Sequence, residues 1–545
     1  MRRLAELYAR VARHPGPTLA VLCTVQALAL LAFALRGTQH NGWLYYQGGD
    51  QIWYTTGASL LAHLQLPPTF VGYGWSMLVA PIFGAVGPDF LSGLPAVIVL
   101  DVVVLAPLGT LCVYGIGTRV GGRLSGLWCS LLWVAAPYVS LLFFTDRYHE
   151  TWFDLALPQT LGLTAMADYP SMIALLAAAF FVVRSLRPGT VSDGVLAGLL
   201  AGLALGIKPS NALFLAGPAL AYLVARRWRE AAAFGIALLP AVLALAIWKE
   251  RGLGNLPLFT LGETREAAGA AGAVAAVQVH KYVNIDLDQW RQNMSGLREF
   301  TVGARLVQWA PIAGVIGLSR RSVPAAALFA GWLGAYLLVK GTSPLATVES
   351  GSFWRFVMPA FPAYLFLAAA IPLLVPTLAR RLGRHLEAPA PARRVGRGAV
   401  VSAAIVLAGI PLTWIAVSSP ITSDRKAVLL DGILTPVDAG KIDGRVTARG
   451  AARRISWTRR SWPSDVFYRV YRTAGDGSDV DCPPTGGAAQ CTVTMLLLGT
   501  TRKTAFLDLS PPAGVTYRVG VGANWVDDPR AGDVAVLSPP LKDVP

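Results

Sequence analysis

Apolar segments recur along the chain at about 17–36, 92–117, 124–144, 168–185, 193–207, 210–225, 231–248, 302–318, 323–340, 358–377 and 398–418, and then stop. Each is read as a helix that, with flanking residues, supplies the roughly 20 residues needed to cross a hydrocarbon core of about 30 Å. Inside lipid every backbone polar group must be satisfied within the spanning structure, so a chain of this kind has few architectures open to it. The expected fold is mainly α: a polytopic membrane domain of about eleven transmembrane helices, followed by a polar C-terminal region. Composition agrees, because only 14% of the 545 residues are charged and 54% are hydrophobic, against roughly 25% charged in soluble domains.

The formal net charge of +16 raises nucleic acid as a partner, but the basic residues sit mainly in short clusters between apolar segments. Arg2, Arg3, Arg10 and Arg13, then Arg119 and Arg123, Arg184 and Arg187, "ARRWR" at 225–229, "SRRS" at 319–322 and "ARRLGRHLEAPAPARRVGR" at 379–397 occupy every second loop. That alternation is the positive-inside pattern of one membrane orientation, and it makes the lipid bilayer the expected partner and excludes nucleic acid. The N-terminus is then cytoplasmic, with its first segment a retained anchor rather than a cleaved signal. The loops at 37–91, 145–167, 249–301 and 341–357 and the C-terminal region are extracytoplasmic. A multi-pass protein of the plasma (inner) membrane is expected.

Three regions follow: a membrane domain over 1–420, a linker over 421–440 and a β-sandwich over 441–545. "RISW", "VFYRVYRT", "CTVTMLLLG", "TAFLDL", "TYRVGVGANW" and "DVAVLSPPL" are short alternating runs punctuated by Gly, Pro and Asp, which read as strands. The order of Trp457, "YRVYR", "FLDL" and "TYRVGVGAN" resembles a fibronectin type III module. Cys482 and Cys491 stand nine apart in this region and suggest a disulfide in an oxidising compartment; a zinc half-site would need further His or Cys nearby. Cys23, Cys112 and Cys129 lie in apolar segments as small packing residues.

The first outer loop contains "YYQGGDQIWY". Asp50 there has an ordinary reading as a solvated acid. Gly48 and Gly49 allow a tight turn before it, and Trp53 and Tyr54 offer a flat apolar wall, so a desolvated, tuned general base is the alternative. "IWYTTGASLLAHL" reads as an amphipathic helix and "YGWSMLVAPIFGAVG" as too short for a confident span; both are expected along the interface. In the third outer loop, "REAAGAAGAVAAVQ" reads as a mobile piece and "HKYVNIDLDQWRQNM" as a docked amphipathic helix or a plain linker. "TDRYHETWFD" at 145–154 gathers Asp146, Arg147, His149, Glu150 and Asp154. This cluster could line an acceptor groove, bind a divalent metal or simply be solvated, and its spacing is not diagnostic of metal.

"GGDQIWYTTGASLL", "GYGWSMLVAPIFGAVG", "AMADYPSMIALLAAAFFVV", "GLLAGLALGIKPSNALFLAGPALAYL" and "FWRFVMPAFPAYLFLAAAI" resemble, in that order, the segments of GT-C fold glycosyltransferases such as protein O-mannosyltransferases and aminoarabinose transferases. The resemblance implies inverting transfer of one sugar, on the outer face, from a polyprenyl-phosphate donor to a hydroxyl acceptor on an envelope glycan, lipid or protein. It places the catalytic first-loop acid on Asp50 and a second acid on Asp168, whose other reading is a helix N-cap. It places donor phosphate binding on Arg355 and Lys208, whose other reading is snorkelling to the interface. Trp53, Tyr54, Arg147, His149 and Glu150 are the groove candidates, and no cofactor beyond a divalent metal is raised. The sequence departs from the family at Gln51, where protein mannosyltransferases carry a second acid, and at Lys208, where many relatives carry Arg. The rival readings are a transporter or flippase with a glycan-binding surface module, and a scaffold anchored by its spans. Only Asp101 lies well inside a span, whereas a transporter would carry several such groups.

Overall fold

The computed structural model describes residues 15–36, 49–68, 71–186, 190–253, 285–343, 346–376 and 395–421, and, beyond these, 425–545 without 431, 439, 441, 461–465, 474–479, 482–491, 524–533, 542 and 545. Cys482, Cys491, Gly48, the Ala/Gly-rich stretch and residues 379–394 of the basic run lie outside the described residues.

All eleven expected segments are helical. Among the described residues, seven helices are long and apolar enough to cross a membrane: Pro15–Leu35, Phe90–Gly121, Arg123–Phe143, Asp168–Ser185, Trp228–Gly252, Ser352–Leu374 and Arg397–Val417. The other four, Val191–Ile207, Pro209–Ala225, Ala304–Ser319 and Val323–Val339, are shorter. Seventeen residues rise about 26 Å, near the lower end of the length that spans a hydrocarbon core, so these four reach across only with their flanking residues. Their apolar sequences still drive them into the bundle.

The helix Asp168–Ser185 is the axis of that bundle: 83% of its window is buried, against 11% for Arg397–Val417. A helix apolar all round buries itself on every side, and this one packs against Val191–Ile207 and Phe90–Gly121. Glycines permit the close approach. A Cβ on Gly198 would stand 2.2 Å from the carbonyl of Phe234 in the neighbouring helix.

The first outer loop departs from expectation. The helix Asp50–Ala62 is buried along its length from Gln51 to Leu61 rather than lying half-immersed at the interface. It packs against the helix Tyr73–Val86 on one side and a β-hairpin from the C-terminal region on the other. Ser76 Oγ donates to the carbonyl of Tyr54 at 2.9 Å, satisfying a polar group that burial would otherwise strand.

That hairpin, Ala427–Leu430 paired with Ile433–Pro436, occupies part of the stretch read as a linker. With Thr492–Val493 and Val480–Asp481 it forms one four-stranded sheet. A second sheet runs in the order Leu496–Thr501, Val466–Arg472, Tyr517–Ala523, Val536–Leu537, and a third Ala505–Asp508, Ala452–Trp457, Gly444–Arg449, Asp543–Val544. Val446, Ile455, Trp457, Tyr468, Val470 and Val519 are buried in the sheet region.

Bundle and sheets are joined by buried polar contacts. Arg460 forms an ion pair with Asp89, the N-cap of the helix beginning at Phe90, and its Nη2 also donates to Ser92 Oγ at 3.0 Å. Gln65–Leu66 pairs in parallel with Ser419–Pro420, directly after the last long helix.

Candidate active site

Four charged side chains from four separate segments meet at one end of the bundle. Asp50 opens the helix Asp50–Ala62, Asp168 opens the axial helix, Lys208 follows the end of Val191–Ile207, and Arg355 lies in the first turn of Ser352–Leu374. The helix ends favour Asp50, Asp168 and Lys208 where they stand, because carboxylates are favoured at N-termini and cations at C-termini; Arg355, in a first turn, is held by its two acid partners instead.

Arg355 bridges the two acids. It is ion-paired with Asp50 through Nη2 and lies 3.4 Å from Asp168 Oδ2 through Nε, while Lys208 is ion-paired with Asp168 Oδ1. Asp168 therefore does not cap its helix; the carboxylate turns to the two cations instead. Neither Lys208 nor Arg355 extends away along the bundle surface as a snorkelling chain would.

The two acids differ in access. The Asp168 side chain is 2% exposed and that of Asp50 is 33% exposed. A buried carboxylate held by two cations is fixed in charge and place, because removing either partner would strand a charge in low dielectric. The Asp50 carboxylate is open enough to meet a solute.

Two further residues belong to the cluster and were not singled out in the sequence. Lys340, at the end of the helix Val323–Val339, and Lys208 have their ammonium groups 5.6 and 5.7 Å from the centre of the Phe356 ring, and the Arg355 guanidinium carbon lies 5.8 Å away. All three distances fall within cation–π range. Three cations thus lie around one ring, two of them paired with the two acids. Lys340 closes an apolar run, where a lysine carries the ordinary signature of an interface anchor, and only the fold returns it to the other charges.

Gln51, the departure from the family pattern, has a structural place. Its Oε1 accepts the backbone N–H of Ala165 at 2.8 Å, and Trp75 Nε1 donates to the carbonyl of the same residue at 2.9 Å. These bonds hold the segment leading into Asp168.

The groove candidates separate. Trp53 and Tyr54 are 3% and 5% exposed and belong to the core, so they form no open wall. His149 Nε2 lies 2.9 and 3.0 Å from the carbonyls of Leu141 and Phe144, where it satisfies the end of the preceding helix. Glu150 is exposed. Arg147 does face a cleft: it is paired with Glu299 and its guanidinium lies 4.8 Å over the Phe300 ring. Beside it, burial pushes the Tyr148 phenol up to about 12, against a smaller opposite effect of the hydrogen bond from Trp354. Among the described residues no three His, Cys, Asp or Glu side chains converge as a metal site.

No protein-family model matches the chain, and no curated protein matches it. Similar solved structures include the oligosaccharyltransferase of Archaeoglobus fulgidus in its apo form, at 13% identity and TM-score 0.39, with 74% of this chain and 56% of that one covered. Another is ArnT from Cupriavidus metallidurans bound to undecaprenyl phosphate, at 13% identity and TM-score 0.40, with 74% and 77% covered. The archaeal enzyme AglB in complex with an inhibitory peptide and a dolichol-phosphate matches at 14% identity and TM-score 0.39, with 76% and 57% covered. These are GT-C fold glycosyltransferases, and the chain spans little more than half the length of the archaeal ones.

Proposed function

We propose that the protein is a membrane glycosyltransferase that moves one sugar from a polyprenyl-phosphate donor to a hydroxyl acceptor on the outer face, with inversion. The observation that carries this reading is the convergence of Asp50, Asp168, Arg355, Lys208 and Lys340 at one end of an apolar bundle, with Asp50 open to solutes.

The chemistry needs little else. Asp50 takes the proton of the acceptor hydroxyl as its oxygen attacks the anomeric carbon. The bond from that carbon to the phosphate oxygen breaks, and the electron pair leaves with the lipid phosphate. Arg355, Lys208 and Lys340 balance the charge that develops there, and Arg355 offers the bidentate geometry. When phosphate enters, Arg355 exchanges part of its bond to Asp50 for the ligand, which frees the base. Asp168 positions both Lys208 and Arg355.

Charge placement supports the outer-face assignment. Asp168 and Arg184 sit at opposite ends of the axial helix, about 24 Å apart by helical rise, and Arg184 pairs with Asp193 among the loops read as cytoplasmic. The order of the sheet strands supports reading 441–545 as a fibronectin type III-like extracytoplasmic module, with 1–420 as the membrane domain.

One observation favours the transporter reading. Asp101 is fully buried in a spanning helix and neither carboxylate oxygen has a hydrogen-bond partner among the described residues. Intramembrane acids of this kind serve ion pathways in transporters.

The test uses purified protein in lipid with radiolabelled polyprenyl-phosphate sugars and envelope acceptors, comparing the native chain with Asp50→Asn. Transfer that depends on Asp50 is the expected result. Equal transfer by both proteins overturns the base assignment, and solute movement abolished by Asp101→Asn without sugar transfer establishes the rival.

A further inference from the structure

A second open site lies beside the charged cluster. The helix Leu287–Phe300, N-capped by Asp286 through bonds from Asp288 N and Gln289 N, packs across the outer loops. Gln289, Gln292, Asn293, Gly296, Glu299 and Phe300 recur at intervals of three and four, so they share one helical face. That face, the segment Arg147–Thr151 and the turn Thr347–Glu349 enclose a cleft of about 620 Å³. The volume lies within the roughly 300–1,000 Å³ usual for ligand sites.

The cleft is tied to the cluster at two points. Asn293 Nδ2 donates to the carbonyl of Gly341 at 2.7 Å, the residue after Lys340. Trp354, the residue before Arg355, donates through Nε1 to Tyr148 OH at 2.9 Å, and Tyr148 OH donates to the carbonyl of Val348. Gly296 lets the helix approach the turn, since a Cβ there would stand 3.3 Å from Val348 Cβ.

The lining selects a ligand chemistry. Arg147 is paired with Glu299 across the cleft, and the remaining charged side chain of the described lining is the acid Glu349, so the described lining is not a basic patch for a polyanion. Amides and hydroxyls of Gln289, Gln292, Ser295 and Thr347 present both donors and acceptors. Among the described residues that line the cleft none belongs to a strand that could pair with an extended peptide backbone.

We propose that this cleft binds a neutral, hydroxyl-rich chain, an oligosaccharide, and delivers its end to Asp50 as the acceptor. Naming it the acceptor rests on the glycosyltransferase reading; the binding itself does not.

The test titrates the full-length protein in lipid nanodiscs, by calorimetry, with linear tetrasaccharides of mannose, glucose, galactose and arabinose, and with a neutral Ser/Thr-rich octapeptide. At least one tetrasaccharide is expected to bind, Ser295→Trp to weaken it by about tenfold or more, and the double variant Gln289→Ala/Gln292→Ala by about threefold. No tetrasaccharide binding up to about 10 mM, binding unaffected by both variants, or binding of the peptide alone overturns the proposal. A protein that binds a tetrasaccharide in the cleft yet transfers no sugar overturns the enzymatic reading and leaves the cleft assignment standing.

Discussion

Arg355 with Asp50, at the open end of the helix bundle, and Arg460 with Asp89, at its junction with the sheets, are the same chemical pair in opposite surroundings. In the first pair the side chains are 23% and 33% exposed; in the second they are 6% and 0% exposed. Asp89 spends its oxygens on the N–H groups of Leu91 and Ser92, on Ser92 Oγ and on Arg460. Nothing is left over for a ligand, and the pair clamps two parts of the chain together. Asp50 has one cation as its partner among the described ion pairs, and that cation is shared with Asp168. On the proposed function, an Asp–Arg pair is thus a clamp or a reaction site according to how many of its bonding positions are already filled.

Substitutions can break this contrast, and the largest effect is expected at Asp50. Asp50→Asn should lower sugar transfer by about 10²- to 10⁴-fold in a single-turnover assay, with the thermal unfolding midpoint nearly unchanged because Arg355 keeps Asp168. A large fall in that midpoint would show Asp50 to be a clamp after all. At the junction the expectation is reversed. Arg460→Ala should cost about 3–5 kcal/mol of stability by leaving Asp89 charged and buried, read from denaturant unfolding in detergent. Asp89→Asn combined with Arg460→Met should recover most of it, since Asn still caps the helix.

Smaller effects sharpen the boundary of the site. Lys340→Ala should raise the donor KM about tenfold, the equivalent of one charge-assisted hydrogen bond, with a lesser change in kcat. An unchanged KM would remove Lys340 from phosphate binding. His149→Ala should destabilise by about 1 kcal/mol with transfer unaltered; a fall in kcat with unchanged stability would return His149 to the groove.

Much of the bundle was legible because a span-length apolar run has few folds available in lipid. The four shorter helices were legible as helices, but not how short each is, since flanking residues look equally able to extend them. Asp50–Ala62 was read as an interfacial helix because its local pattern contains Gln, Thr and Ser; the hairpin at 427–436 that covers it comes from more than 360 residues away in sequence. Asp168, Lys208 and Arg355 came into view through ordered motifs at span ends. Lys340 and Phe356 carry no local sign of their place, and His149 in a charged decapeptide looked available when its ring was already engaged by two carbonyls.

The sequence by itself determined a helical membrane bundle, its alternation of basic loops and a strand-rich C-terminal region, because apolar length, charge spacing and period-two alternation act over neighbouring residues. Only the tertiary structure decided which charges share a site, which acid is sealed and which is open, and which face of the Leu287–Phe300 helix lines a cleft. Those properties depend on distance and solvent access between segments far apart in the chain, and electrostatic and hydrogen-bond energies follow those distances rather than sequence order.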